Sequence, residues 1–265
     1  MSDGINFALT EEQKMQQALA RDFARNEIAP VAEHYDRSAE FPLPVIEKAR
    51  QAGLINTNVP MEYGGAGASL VEEVVVCEEL AWGCTGISTS ILINNLAAIP
   101  IIVAGTEEQK KEWLGRMTGG QLGAYAVTEP AAGSDVAGML STATKKGDEY
   151  VIKGSKTFIS NASYSQFFVV FAYTDKAAKY KGISAFIVGV RDYMVEITLK
   201  SLNAQQPDPR RSRVPLEIVA NSLSWSLLGV LIWWLEHDMP HTPEYMAEQF
   251  QLLITHDLKQ VLGLE

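Results

Sequence analysis

An α+β chain is expected, helical at both ends with a block of short strands between. Three observations predict it. Three capping boxes start helices before about residue 120. A cluster of Val-, Ile-, Phe- and Tyr-rich runs occupies about 121–189, and helical patterning returns from about 190. The expected domains are therefore 1–120, helical; 121–189, an antiparallel β domain; and 190–265, a helical tail.

The 265 residues are 47% hydrophobic and 20% charged, enough for a sizeable core. A net charge of −10 argues against a nucleic-acid partner. The one dense basic cluster, Arg210, Arg211 and Arg213, reads as a linker or surface face. Cys77 and Cys84 fall on one expected helix, roughly 10 Å apart at ~1.5 Å per residue, too far for a disulfide. Reduced thiols suit a cytoplasmic location. The opening "MSDGINFALT" has neither a secretory h-region nor the arginines of a transit peptide.

In the first zone Thr10 with Gln13, Ser69 with Glu72, and Thr106 with Gln109 mark helix starts. Pro42 and Pro44 open another helix, which Gly53 closes. "MEYGGAG", Met61 to Gly67, lies in a Gly-rich loop. In the second zone "QLGAYAVT", "EYVIKG", "KTFISN", "QFFVVFAYT" and "GISAFIVGV" read as strands, with a turn at Lys146-Gly147-Asp148. The spacing leaves no room for crossover helices. In the third zone Pro207 and Pro209 break the chain before Ile218–Leu235, a run of 18 residues without a charge. Two readings stay open: a helix buried in a bundle or dimer interface, and a membrane anchor flanked by arginines and by Glu236 and Asp238. His237 and His241 are separated by Pro240, which breaks a helical ligand face, and His34 and His256 are isolated; no metal site is expected.

"YAVTEPAAGSDVAG" resembles the acyl-CoA dehydrogenase family of flavoenzymes, the medium-chain type above all. The likeness extends through "EELAWGCTGIST", "KKGDEYVIKGSKTFISNA" and "GISAFIV", and covers residues 1 to about 189. It implies FAD across the junction of a helical and a β domain, and α,β-dehydrogenation of an acyl-CoA thioester. Electrons then pass to an electron-transferring flavoprotein. By resemblance, Tyr125, Ala126, Val127, Thr128, Glu129, Pro130, Ala131, Ala132, Gly133 and Ser134 contact FAD, with Val127 and Thr128 nearest the isoalloxazine. Ser134 also meets the acyl-CoA. Phe158, Ile159 and Ser160 form the second flavin element, with Phe158 and Ser160 where the family usually has Trp and Thr. Ala131 stands where the family usually has Gly, and a positive φ there would strain it. The 61–67 loop matches a family loop near the acyl pocket; simple turn chemistry explains it equally well.

Beyond "AFIVGV" the likeness stops, so the β domain reads as truncated, and the family's second helical domain with its glutamate base has no counterpart. Glu217, Glu236, Glu244, Glu248 and Glu265 match no family motif, and the catalytic residues stay unassigned. "WWLEHDMP…PEYMAEQF" resembles instead the C-terminal dimerisation helices of TetR-type regulators, which implies a homo-oligomer. Three functions stay open: a flavin-dependent acyl-CoA dehydrogenase; a non-catalytic flavin- or acyl-CoA-binding fragment dimerised by its tail; and a regulatory protein that uses the tail pocket.

Overall fold

A computed structural model of the chain describes residues 8–206, 208, 212–237 and 239–262. Pro207, Pro209, Arg210, Arg211, Asp238 and Glu265, and the side chains of Glu236 and His256, lie outside the described residues. The chain divides into two compact units, Met1–Ile187 and Val188–Glu265.

The first unit opens with α1 (Glu11–Phe23), α2 (Ala32–Ser38), α3 (Leu43–Gln51), α4 (Leu70–Gly83) and α5 (Thr85–Ala104). Next come α6 (Glu107–Gln109) and α7 (Gly115–Thr118), joined by a π-turn at Lys110–Leu114. All three capping boxes close reciprocally, at the starts of α1, α4 and α6. At the first, Thr10 N–H donates to Gln13 Oε1 at 3.1 Å and Gln13 N–H to Thr10 Oγ1 at 3.2 Å. Pro30 sits in the 3₁₀ turn between α1 and α2, where its missing N–H breaks the α-helical ladder. Gly53 takes φ +72 just past α3. Cys84 lies one residue beyond α4 with an extended backbone, so the two cysteines do not share a helix; both thiols are free.

Five strands follow: β1 (Gly123–Ala126), β2 (Thr142–Lys146), β3 (Glu149–Lys153), β4 (Phe167–Tyr173) and β5 (Ile183–Val188). The order is β1-β4-β2-β3, with β5 also paired to β4. β2, which the sequence reading did not mark as a strand, pairs with β3 in a hairpin across the expected turn, with Gly147 at φ +61. The sheet is mixed rather than antiparallel. β1 runs parallel to β4, from Gly123↔Phe167 to Ala126↔Val170, and β2 touches β4 in parallel at Thr142↔Tyr173. A parallel pair needs only a long return connection. Here the β2–β3 hairpin and the loops around it supply that return, so no crossover helix is required. "KTFISN" is not a strand but a loop, because Phe158 and Asn161 adopt φ +55 and +63.

Among the described residues, three apolar clusters lie in this unit, the smallest of Ala132, Met139 and Tyr173. One joins Phe23, Ile28, Ile46, Leu80 and Ile91 across the N-terminal helices. Another packs Ala97 and Ile101 of α5 with Leu114 and Met117 against Phe167 and Val169 of β4. α5 is long and apolar enough to cross a membrane, yet Ile87, Ile91, Ala97, Ala98 and Ile101 are all buried in these clusters. Asn94 of α5 is fully buried and ties the helices to the sheet. Its Oδ1 accepts Gly123 N–H at 2.6 Å, and its Nδ2 donates to Asn56 Oδ1 at 2.7 Å.

The second unit holds α8 (Val190–Gln205), α9 (Leu216–Glu236) and α10 (Pro243–Leu262) around Leu202, Leu216, Val219, Ala220 and Leu262. Gln206 Nε2 donates to Leu262 O at 2.7 Å. The uncharged 218–235 run lies within α9, but only one face is covered: Val219, Ala220 and Ser224 are buried while Ile218, Trp225 and Trp233 are exposed.

Candidate cofactor site

β1 delivers the chain from the core into the loop that carries the expected site. Ala126 is buried, and from Val127 onward the backbone leaves the sheet. Glu129 and Ala132 then close a tight turn by exchanging N–H···O bonds of 2.9 and 3.1 Å. That turn pushes Pro130 and Ala131 outward, and Gly133 and Ser134 are also exposed. Ala131 does not take a positive φ, so its methyl introduces no backbone strain.

The second segment is fastened to the first by three bonds. Thr157 N–H donates to Thr128 O at 3.0 Å, Lys156 Nζ to Val127 O at 2.9 Å, and Lys156 Nζ to Glu129 Oε1 at 2.8 Å. Further along, Asn161 Nδ2 donates to Ser90 O of α5 at 2.8 Å. Phe158 is pinned between these anchors. Its φ of +55 is an outlier for a bulky residue, and its side chain is 91% exposed. An exposed aromatic residue at positive φ, with its loop held from both sides, is a candidate ligand contact. Ile159 and Ser160 are half-buried beside it. The hydroxyls of Thr128, Ser134 and Ser160 make no hydrogen bond within the described residues, as far as side-chain and backbone partners go.

Glu129 plays a different part from its neighbours. Its side chain is 4% exposed and turns inward, accepting from Lys156, from Leu140 N–H at 2.5 Å and from Ser141 N–H at 3.0 Å. Burial would lift this carboxyl, but the bonds from Lys156, Ser141 and Leu140 outweigh it and bring the pKa down to about 2. Glu129 therefore braces the loop from inside. Burial also pushes the Tyr125 phenol up, with its ring tilted against Phe171 at 5.1 Å.

Sequence reading missed Lys156, Asn161 and Ser141. Lys156 meets Glu129 from 27 positions away in the chain, and no local pattern marks such a pair. The Gly-rich loop at 61–67 is closed by turn hydrogen bonds. Gly64, Gly65, Gly67 and Ala68 donate their amides to Met61, Pro60, Val59 and Thr57 carbonyls. Gly65 has no room for a Cβ, which would sit 2.0 Å from Val59 O. Among the described residues, no group of three His, Cys, Asp or Glu side chains could hold a metal. The buried carboxylates there are Glu79 and Glu129, and Glu79 is held by Arg21 in a two-pronged ion pair of 2.7 and 2.5 Å. Glu217, Glu244 and Glu248 are exposed on α9 and α10.

Residues 10–121 match the acyl-CoA dehydrogenase N-terminal domain, and residues 124–204 match the middle domain of the same family, together well over half of the chain. The chain belongs to the acyl-CoA dehydrogenase family. Residues 173–256 also match a transcriptional regulator C-terminal region, overlapping the end of the middle domain. A probable medium-chain specific acyl-CoA dehydrogenase 2, mitochondrial, of Caenorhabditis briggsae is 41% identical over 188 residues, 69% of this chain and 46% of the relative. Among solved structures, a glutaryl-coenzyme A dehydrogenase in complex with glutaryl-CoA aligns with a TM-score of 0.67 at 36% identity, covering 71% of this chain and 49% of that one. An acyl-CoA dehydrogenase complexed with FAD from Bacillus anthracis aligns at 0.59 and 34% identity, over 68% and 31%. The chain thus spans about half the length of the curated acyl-CoA dehydrogenase relatives it matches.

Proposed function

We propose that the first unit is the flavin- and thioester-binding part of an acyl-CoA dehydrogenase. The Tyr125–Ser134 segment and Phe158–Ser160 would hold the isoalloxazine of FAD, and Ser134 would meet an acyl-CoA thioester. The observation that supports this reading is the bond from Thr157 N–H to Thr128 O, 29 positions apart in the chain, which fastens the two expected flavin segments to each other. The hydroxyls of Thr128, Ser134 and Ser160 have no hydrogen-bond partner among the described residues, and Phe158 is exposed, so these groups are open to a ligand. When bound, FAD takes up the hydride that leaves Cβ of the thioester.

The chain's own residues have separate jobs. Thr128 and Ser160 donate hydrogen bonds to the polar edge of the ring system, where negative charge gathers on reduction. Phe158 covers the ring and keeps water away. Ser134 orients the thioester. An electron-transferring flavoprotein is the expected electron acceptor, and a homo-oligomer the expected assembly, both carried from the family likeness.

The α-proton needs a base, and none is assigned. Glu79 and Glu129 are buried but committed to Arg21 and Lys156. That commitment favours a second reading, a flavin- or acyl-CoA-binding protein without turnover, dimerised through its regulator-like tail. One experiment separates the two. Protein incubated with FAD and then freed of unbound flavin by gel filtration should keep visible flavin bands, and anaerobic acyl-CoA should bleach them. Persistent bands support the binder, and a protein fraction without flavin refutes the dehydrogenase and the flavin binder alike.

A further inference from the structure

Lys156 has no place among the residues assigned above to the flavin, yet it makes the shortest hydrogen bonds between the two segments. Its side chain is 12% exposed and its ammonium bonds Val127 O and Glu129 Oε1 at 2.9 and 2.8 Å. Phe158 follows two residues later. We propose that Lys156 is a positioning residue for the flavin: clamped between Val127 O and Glu129, it sets the gap between the Val127–Thr128 peptide and the Phe158 ring. This inference rests on the FAD reading given above.

The geometry supports a positioning role over a purely stabilising one. A buried ion pair stabilises little relative to apolar side chains of similar volume, because desolvation offsets the attraction. What the pair supplies is a fixed separation. Lys156 and Thr157 hold the 127–129 segment at two backbone carbonyls, Val127 O and Thr128 O, and at the Glu129 carboxylate, and Asn161 holds the far end of the loop to Ser90. The backbone at Phe158 is therefore set before any ligand arrives, although its ring touches almost nothing. Preorganisation of this kind removes ordering from the binding step. Glu129 neutralises the ammonium, so Lys156 acts through distance rather than as a free charge at the ring.

The test compares wild type, Lys156→Arg and the double variant Glu129→Gln/Lys156→Met in the full chain. The double variant leaves no stranded charge, which protects folding; far-ultraviolet circular dichroism checks it. FAD is the probe. In the double variant the FAD Kd should rise at least ~10-fold, and the visible circular dichroism of the flavin at saturating FAD should fall to about half or less. Lys156→Arg, which keeps the ion pair, should stay within ~3-fold of wild type. A purely structural role lowers thermal stability but leaves both the Kd of folded protein and the saturated flavin signal unchanged, and that result overturns the inference alone. A wild type that takes up no FAD overturns the flavin reading and this inference with it.

Discussion

Replacing Asn94 with alanine should destabilise the first unit by about 3–6 kcal/mol. The magnitude follows from what the side chain holds. Asn94 is 0% exposed; its Oδ1 accepts Gly123 N–H at 2.6 Å and its Nδ2 donates to Asn56 Oδ1 at 2.7 Å. Alanine leaves the Gly123 donor and the Asn56 acceptor buried without partners, at ~1–3 kcal/mol each. The emptied side-chain volume adds a cavity. Asn56 cannot simply turn over, because its Nδ2 already serves Met117 O at 2.8 Å. For a unit of this size each kcal/mol moves the midpoint by ~2–4 °C, so a fall of about 6–24 °C is expected. Urea and thermal unfolding followed by circular dichroism measure it. Because Gly123 begins β1, which leads into the cofactor loop, FAD affinity should fall as well. A loss of under ~1 kcal/mol would refute the claim that this buried network couples α5 to the sheet.

Glu129→Gln should lose the acid-sensitive part of stability. The folded pKa is lowered to about 2, so the contribution is fully present above the unfolded carboxyl pKa and fades as pH falls toward 2. It amounts to something on the order of 3 kcal/mol. The gap between wild type and variant should therefore close in acid unfolding titrations; a gap independent of pH contradicts the assignment. Ser69→Ala breaks a reciprocal capping box and should lower stability by about 1 kcal/mol in urea titrations. Gly182→Ala should destabilise by more than ~1 kcal/mol, since its Cβ would lie 1.8 Å from Asp175 O, whereas Gly115→Ala meets nothing within 4 Å and should be neutral or stabilising by thermal melts. The Tyr63 hydroxyl donates to Glu107 Oε2 at 2.8 Å and its pKa is pushed up to about 12; Glu107→Gln should bring it down in a phenolate absorbance titration.

The amino-acid order alone determined the features that depend on near neighbours. Thr10, Ser69 and Thr106 each meet a partner three residues on, so the helix starts were legible. Gly147 sits between two strands that pair directly across it. The long strings around Tyr125 and Phe158 carried the family likeness, and the structure brings those two segments together. Only the tertiary structure decided how distant residues pair. It made β1 parallel to β4, turned the Glu129 carboxylate inward to Lys156, placed Asn94 between Asn56 and Gly123, and left Phe158 outside the core in a loop where its composition suggested a strand. The physical reason is range: caps and turns close within a few residues, whereas parallel pairing and buried polar bonds depend on which far segments packing brings within hydrogen-bond reach.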